Sequence, residues 1–293
     1  MSAPVAVGYD GSDHARAAVD YAVAEAKQRN RPLLIVHAAV LPFMTASAQA
    51  ALYWPNGDVT RQALDDMMRG LVDQIAEDEP NLSIRYEVID SVTAGATMVE
   101  VSRECELMVV GSRGRGGFTS LLLGSTSTQL AAHAHCPVIV IRDSAPAGPN
   151  HGSVVVGIDG SSQTQAVLEF AFETASLRRA PLVAIHAWRY PVVPDDAMPL
   201  VYDPDELATT EGTILAEALA GWQERFPDVN VERKLMPGKA TTILLEQARG
   251  AKLLVVGSRG RGGFASLLLG STSGHLLHHA ETCVAVVRTR EDQ

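Results

Sequence analysis

Residues 109–127 read VVGSRGRGGFTSLLLGSTS, and residues 255–273 read VVGSRGRGGFASLLLGSTS, so the two stretches differ only in Thr119 against Ala265. In each copy a strand-like apolar run leads into a glycine-rich loop that ends in serine and threonine, where a helix could begin. Glycine lets a backbone turn tightly and approach a ligand closely. Because the N–H groups of such a turn and of a helix N-terminus favour anions, this stretch predicts a phosphate-binding loop that is present twice.

The repetition extends beyond the glycine loop. VAVGYDGS at residues 5–12 matches VVVGIDGS at residues 154–161, and RPLLIVHA at residues 31–38 matches APLVAIHA at residues 180–187. The copies are offset by roughly 147 residues, which is the size of a whole domain and far longer than the unit of a solenoid repeat. The sequence therefore predicts a duplicated domain.

We place the first domain at residues 1–143 and the second at residues 152–293. The stretch between them, residues 144–151, contains two prolines and a glycine, which is typical of a linker. Each half is long enough to bury a core of its own.

The composition favours a globular protein that binds neither nucleic acid nor membranes. Apolar residues make up 46% of the chain, charged residues make up 20%, and the formal net charge is −10. No apolar run approaches the roughly 18 residues of a membrane span, and the N-terminus lacks the pattern of a signal peptide. We therefore expect a cytoplasmic protein. Three cysteines, Cys105, Cys136 and Cys283, are too few for a disulfide framework. We expect them to be small buried residues, with a redox role as the less favoured alternative.

Strand-like and helix-like patterns alternate within each half. Continuous apolar strands that are separated by helices indicate a parallel sheet covered on both faces. The predicted fold class is α/β, with two tandem copies of a doubly wound, five-stranded, Rossmann-like domain. The predicted strands lie near residues 4–9, 33–39, 82–89, 107–110, 137–141, 153–158, 182–187, 229–235, 253–256 and 284–287.

The glycine loop differs from two familiar phosphate-binding motifs. It lacks the Gly-Lys-Ser/Thr of a P-loop, and it follows the fourth strand, whereas a dinucleotide fingerprint follows the first. Its spacing instead resembles the signature G-x2-G-x9-G-[S/T] of tandem-domain universal stress proteins of the ATP-binding type. The resemblance covers nearly the whole chain and includes an early acidic residue in each half. The signature is met by Gly111, Gly114, Gly124 and Ser125, and again by Gly257, Gly260, Gly270 and Ser271.

The resemblance implies ATP as the ligand, with Mg²⁺ as a candidate companion, and one site per domain. It implies that Gly8 and Asp10, and likewise Gly157 and Asp159, lie against the nucleoside. Backbone near His37 and His186 would face adenine. The phosphates would be wrapped by the glycine loops, including Gly116, Gly117, Gly262 and Gly263, and by hydroxyls at the helix start from Ser125, Thr126, Ser271 and Thr272.

Several side chains keep two interpretations. The loop arginines, which are Arg113, Arg115, Arg259 and Arg261, could pair with phosphates or remain solvated charges. Asp10 and Asp159 could touch the nucleotide or help to cap the following helix. His37 and His186 could have a structural role or lie beside adenine. The long loops at residues 40–57 and 188–205 could cover the sites or form a subunit interface.

The favoured function is that of an ATP-binding regulatory protein in a stress or dormancy response, with a protein partner that the sequence does not identify. The alternatives are a slow ATPase or nucleotidyl-transfer enzyme, and a structural dimerisation module. We predict no catalytic residue and no resident metal site. The resemblance also implies that the two halves pair as an intramolecular pseudo-dimer, and a homodimer of the whole chain is a further candidate.

Overall fold

The computed structural model describes residues 2–40, 57–114, 123–142, 151–190, 203–261 and 269–289. The chain divides into two compact units, Met1–Ile141 and Arg142–Gln293. Among the helices in these described residues, none is both long enough and apolar enough to cross a membrane.

The first unit is a five-stranded parallel sheet with helices between its strands. Across the sheet the strand order is β3-β2-β1-β4-β5. The strands are β1 (Val5–Gly8), β2 (Leu33–Val40), β3 (Ile84–Ser91), β4 (Leu107–Gly111) and β5 (Val138–Ile141). The helices are α1 (Asp13–Arg29), α2 (Gly57–Asp78), α3 (Ala94–Val101) and α4 (Ser125–His133), with a short 3₁₀ turn at Ser102–Glu104.

The second unit repeats this arrangement, with the strand order β8-β7-β6-β9-β10. Its strands are β6 (Val154–Ile158), β7 (Leu182–Trp188), β8 (Val231–Pro237), β9 (Leu253–Gly257) and β10 (Val284–Val287). Its helices are α5 (Thr164–Leu177), α6 (Pro204–Ala218), α7 (Trp222–Arg225), α8 (Ala240–Gln247) and α9 (Ser271–His279).

Burial explains why the central strands contain almost no polar residues. In the first unit Val5 pairs with Leu33 on one side and with Leu107 on the other, and all three are fully buried. Helices cover both faces of these strands, so each strand is a continuous apolar run. The edge strand β3 alternates between half-buried and exposed side chains, as expected where one face meets solvent.

Local capping fixes where α1 begins and ends. The Ser12 hydroxyl accepts a hydrogen bond from the backbone N–H of Ala15, which satisfies a donor of the first turn. At the other end Asn30 adopts a left-handed conformation with φ 52°, and its backbone N–H bonds to the last helical carbonyls. The residues that follow then enter β2.

The predicted fold class is confirmed in both units, and all ten predicted strands are present. The helix that follows β3 is short, because the α-helix ends at Val101 and the chain continues as the 3₁₀ turn. In each unit the strand order reverses beside the first strand. Ligands of doubly wound sheets bind at that point, beyond the carboxyl ends of the strands.

Candidate functional site

A cavity of about 690 Å³ opens at the point where the strand order of the first unit reverses. It lies beyond the carboxyl ends of β1 and β4, and its walls include the turn after β1, the glycine loop after β4 and the start of α4. The predicted site residues on its walls are Gly8, Asp10, Gly111, Arg113, Gly114, Gly124, Ser125 and Thr126.

The second unit has a matching cavity of about 490 Å³ beyond β6 and β9. Both cavities fall in the range of small-molecule sites, which is roughly 300–1,000 Å³. The predicted site residues on its walls are Gly157, Asp159, Gly257, Arg259, Gly260, Arg261, Gly270, Ser271 and Thr272. The structure therefore brings together residues that lie about a hundred positions apart in the sequence.

Glycine at the end of the first strand makes room for an apolar wall. A Cβ on Gly8 would lie 3.0 Å from Cε of Met98, and a Cβ on Gly157 would lie 3.0 Å from Cδ1 of Leu244. Met98 and Leu244 are buried, and each lines its cavity. Sequence reasoning missed this pair because both look like ordinary core residues of a helix.

The helix that follows each glycine loop begins at a glycine, which has no side chain to cap the helix. Gly124 and Gly270 are the N-cap residues of α4 and α9, and neither cap includes a side-chain hydrogen bond. The Gly124 N–H donates to the Ser112 carbonyl at 2.8 Å, and the Gly270 N–H donates to the Ser258 carbonyl at 2.7 Å. The N-terminus of each helix therefore faces the cavity without a capping side chain, as an anion-binding helix start requires.

Asp159 links the turn after β6 to the glycine loop of the second unit. Its Oδ1 accepts from the Ser161 N–H at 2.9 Å, and its Oδ2 accepts from the Arg261 N–H at 3.1 Å. A Cβ on Gly260 would lie 2.5 Å from Oδ2, so the loop passes close against the carboxylate. Asp159 thus orients the loop as well as lining the cavity.

Asp10 occupies the same place in the first unit. Its Oδ1 accepts from the Ser12 N–H at 3.0 Å, and a Cβ on Gly114 would collide with its Oδ2. The Ser12 side chain caps α1. Because Asp10 accepts from the Ser12 N–H, it helps to position this capping residue. Directly after these carboxylates, Gly11 and Gly160 adopt a left-handed backbone with φ 82° and 69°, whereas Gly114 and Gly260 are needed for space.

His37 and His186 were predicted among the cofactor-binding residues, but their side chains are not on the cavity walls. Side chains alternate along a strand, and those of Val36 and Ala38 line the first cavity while His37 points away. Nδ1 of His37 lies 2.8 Å from the Tyr9 carbonyl oxygen, and Nδ1 of His186 lies 2.8 Å from the Ile158 carbonyl oxygen. Each histidine ring therefore contacts the backbone at the end of the adjacent strand. The residues directly before and after it in the sequence line the cavity.

The arginines of the loops divide into three groups. Arg113 and Arg259 line their cavities. Arg261 also lines a cavity, but its Nη1 lies 3.8 Å from Oε2 of Glu211. Arg115 lies outside the described residues, as do the predicted loop glycines Gly116, Gly117, Gly262 and Gly263. Residues 41–56 and 191–202, which make up most of the two predicted long loops at residues 40–57 and 188–205, also lie outside them.

Gln163 is a further residue that sequence reasoning missed. It is buried at the start of α5, and its Oε1 accepts from the Arg259 N–H at 3.1 Å while its Nε2 donates to the Ser258 hydroxyl at 3.2 Å. Through these two bonds Gln163 holds Ser258 and Arg259, which begin the glycine loop. His14 stands at the matching position of the first half, and this difference between otherwise similar copies is the signal that could have identified the position.

The three cysteines are buried or half-buried thiols without a disulfide. Burial raises the pKa of the Cys105 thiol to about 12, and it raises the pKa values of Cys136 and Cys283 as well. A raised pKa keeps a thiol protonated at neutral pH, and the thiolate is the reactive form. Their environment fits the predicted packing role.

Because of these raised pKa values, we expect Cys105 and Cys136 to resist alkylation in the folded protein. At pH 8 their reaction with iodoacetamide should be at least about a hundredfold slower than in the urea-unfolded chain, since the thiolate fraction falls tenfold per pKa unit. Mass spectrometry of tryptic peptides over time measures this, with the unfolded chain as control. Rapid labelling of both cysteines in folded protein would contradict it.

The sequence and the fold both match known proteins. The model of the universal stress protein family matches residues 1–142 and again residues 151–288. Universal stress protein Rv2005c of Mycobacterium tuberculosis (strain H37Rv) is 39% identical over 294 residues, which cover 97% of this chain and 96% of that protein.

Two solved structures share the fold over the whole chain. A functionally unknown protein from Pseudomonas aeruginosa PAO1 has a TM-score of 0.67 at 17% identity, covering 100% of this chain and 94% of its own. A universal stress protein from Archaeoglobus fulgidus DSM 4304 has a TM-score of 0.65 at 19% identity, covering 99% and 97%. With its two tandem domains matched by sequence and by fold, this chain belongs to the universal stress protein family.

Proposed function

We propose that this protein binds ATP, with one nucleotide site in each domain, and acts as a regulator in a stress or dormancy response. The observation that carries the proposal is that each unit has a cavity at its strand-order reversal with an uncapped helix N-terminus in its wall. Such a helix start offers free N–H groups and the positive end of a helix dipole to an anion.

The residues of each cavity suit the parts of an adenine nucleotide. In the first cavity Val36, Ala38 and Met98 offer an apolar surface for a base, and Ile185, Ala187 and Leu244 do so in the second. At the other end of each cavity the glycine loop and the helix start would hold the phosphates, with hydroxyls from Ser125, Thr126, Ser271 and Thr272.

The proposed role of Mg²⁺ rests on the two carboxylates. Asp10 and Asp159 line the cavities, and carboxylate oxygen is a ligand that Mg²⁺ accepts, together with nucleotide phosphates. Both oxygens of Asp159 already accept a backbone N–H, so a metal would use their remaining lone pairs. Bound Mg²⁺ would supply positive charge to the phosphates.

A regulatory role requires that the nucleotide bind two states of the protein with different affinity. We propose that ATP binding changes the affinity of the protein for a partner in the cytoplasm. We also propose that the tandem domains pair as an intramolecular pseudo-dimer. The protein would be at most a weak ATPase, because the described part of each phosphate end offers arginines and backbone donors, and Asp159 is engaged in holding its glycine loop.

The test is a calorimetric titration of purified, nucleotide-free chain with ATP and Mg²⁺. We expect about two ATP per chain, because each unit has its own cavity with a helix start. Mass spectrometry of nucleotide released from the untreated protein serves as an independent check of identity. Absence of binding at millimolar ATP, from a chain that shows a normal melting transition, would refute the proposal.

A turnover assay on the same preparation distinguishes a regulator from an enzyme. A turnover assay for released phosphate is expected to give far less than one ATP per second, whereas typical enzymes reach about 1–1,000 per second. Turnover of several per second would favour the ATPase alternative.

A further inference from the structure

Glu211 on α6 forms a small charged cluster beside the second cavity. Its Oε2 lies 2.6 Å from Nε2 of the buried His186 and 3.8 Å from Nη1 of Arg261. The Glu211 side chain is only 18% exposed. One carboxylate oxygen therefore serves a strand histidine and an arginine of the glycine loop at once.

Arg261 stands between this carboxylate and the cavity. It lines the cavity wall, and its guanidinium passes over the turn after β6, where a Cβ on Gly160 would collide with Nη2. Its side chain is 43% exposed, so its ion pair with Glu211 is partly solvated and contributes little energy. A bidentate bond to phosphate is stronger than such a loose pair.

Releasing Arg261 would not leave Glu211 unpaired. A buried carboxylate that loses its only partner is strongly destabilised, but the shorter contact with His186 remains when Arg261 moves. Arg261 can therefore leave Glu211 for a phosphate, while Glu211 keeps its contact with His186.

The first unit has an apolar residue where the second has Glu211. Helix α2 (Gly57–Asp78) and the stretch from Pro204 to Arg225 begin and end at the same offset, and Leu64 falls at the position of Glu211. His37 in the first unit accordingly stands at the matching place of His186 without this carboxylate. An uncharged residue at this position is thus compatible with the fold.

We infer that Glu211 competes with bound phosphate for Arg261, which makes the second site weaker for nucleotide than its other residues would allow. Leu64 carries no charge at the matching position of the first unit, so we expect the two sites of one chain to differ in affinity. This inference rests on the proposed ATP-binding function and assigns a regulatory residue to the second site.

The experiment titrates ATP with Mg²⁺ into the full chain and into Glu211→Leu and Glu211→Gln. In both variants one of the two sites should bind about two- to fivefold tighter, the size expected for loss of one partly screened charge pair. The other site should keep its affinity. Adding Arg261→Gln should remove the gain, because the freed arginine is its cause.

Controls distinguish this competition from a structural role. If Glu211 merely supported the fold, its replacement would weaken binding and lower the melting temperature, which is the opposite sign. Glu217→Gln removes the same charge from an exposed position of α6 and should change neither site. Unchanged or weaker binding in both Glu211 variants, or equal tightening in Glu217→Gln, overturns the inference. A wild-type chain that binds no ATP refutes the proposed function and this inference together.

Discussion

Gly114→Val and Gly260→Val are each expected to abolish ATP binding at one site while the other site stays filled. A Cβ at Gly260 would lie 2.5 Å from Oδ2 of Asp159, and a Cβ at Gly114 would collide with the carboxylate of Asp10. The two branches of valine add further atoms on the loop that would wrap the phosphates. The loop must then move off the carboxylate, and we expect the affinity of that site to fall at least about a hundredfold, or about 2.7 kcal/mol.

The measurement is the stoichiometry of ATP in a calorimetric titration, which should fall from about two to about one in each single variant and to zero in the double variant. Gly70→Val is the matched control, because a Cβ at Gly70 meets nothing within 4 Å. The melting temperature of each variant shows whether the fold is kept. Undiminished ATP binding by a folded double variant would mean that the loops are only connections between elements.

Asp10→Ala and Asp159→Ala are each expected to weaken ATP binding at one site. In the second unit Asp159 accepts from the Ser161 N–H and the Arg261 N–H, so its loss frees both the turn and the glycine loop. Losing a charge-assisted hydrogen bond at the site should cost about 1.5–3 kcal/mol of binding, which is roughly ten- to a hundredfold in affinity. Calorimetry and the rise in melting temperature with ATP measure the loss.

Ser12→Ala is the control for this prediction, because the Ser12 hydroxyl caps α1 through the Ala15 N–H. Its loss should lower stability by about 1 kcal/mol and leave the affinity for ATP unchanged. An Asp10→Ala variant that behaves like Ser12→Ala, with lower stability and full affinity, would show that Asp10 only supports the helix start.

The two copies share a scaffold but do not have identical sites. Gln163 holds the glycine loop of the second unit through the Arg259 N–H, and His14 stands at that position in the first half. Glu211 and Leu64 differ in the same way. These differences lie outside the near-identical glycine loops. Two sites with similar loops can therefore bind nucleotide with different affinities.

The strands and the glycine loops could be predicted because their causes are local. A strand that is covered on both faces must be apolar throughout, so runs such as residues 107–110 and 253–256 identify central strands without a structure. A signature at fixed spacing marks a loop in the same way. The predicted residues of this kind lie on the cavity walls wherever the structure describes them.

The orientation of a side chain was harder to predict, because it depends on which face of the sheet borders the cavity. His37 and His186 recur in matching strands, yet alternation turns both away from the cavities. Met98 and Leu244 look like core residues and become cavity walls only because Gly8 and Gly157 leave space beside them.

By itself the sequence determined the duplication, the α/β class and the position of the glycine loops, since these follow from periodicity and from residue types along a short stretch. Only the tertiary structure decided that Asp159 braces the loop through the Arg261 N–H and that Glu211 reaches both Arg261 and His186. These partners are 25 to 102 residues apart in the chain. Contacts at such separations are set by how helices pack on a sheet, and no local pattern in the sequence encodes them.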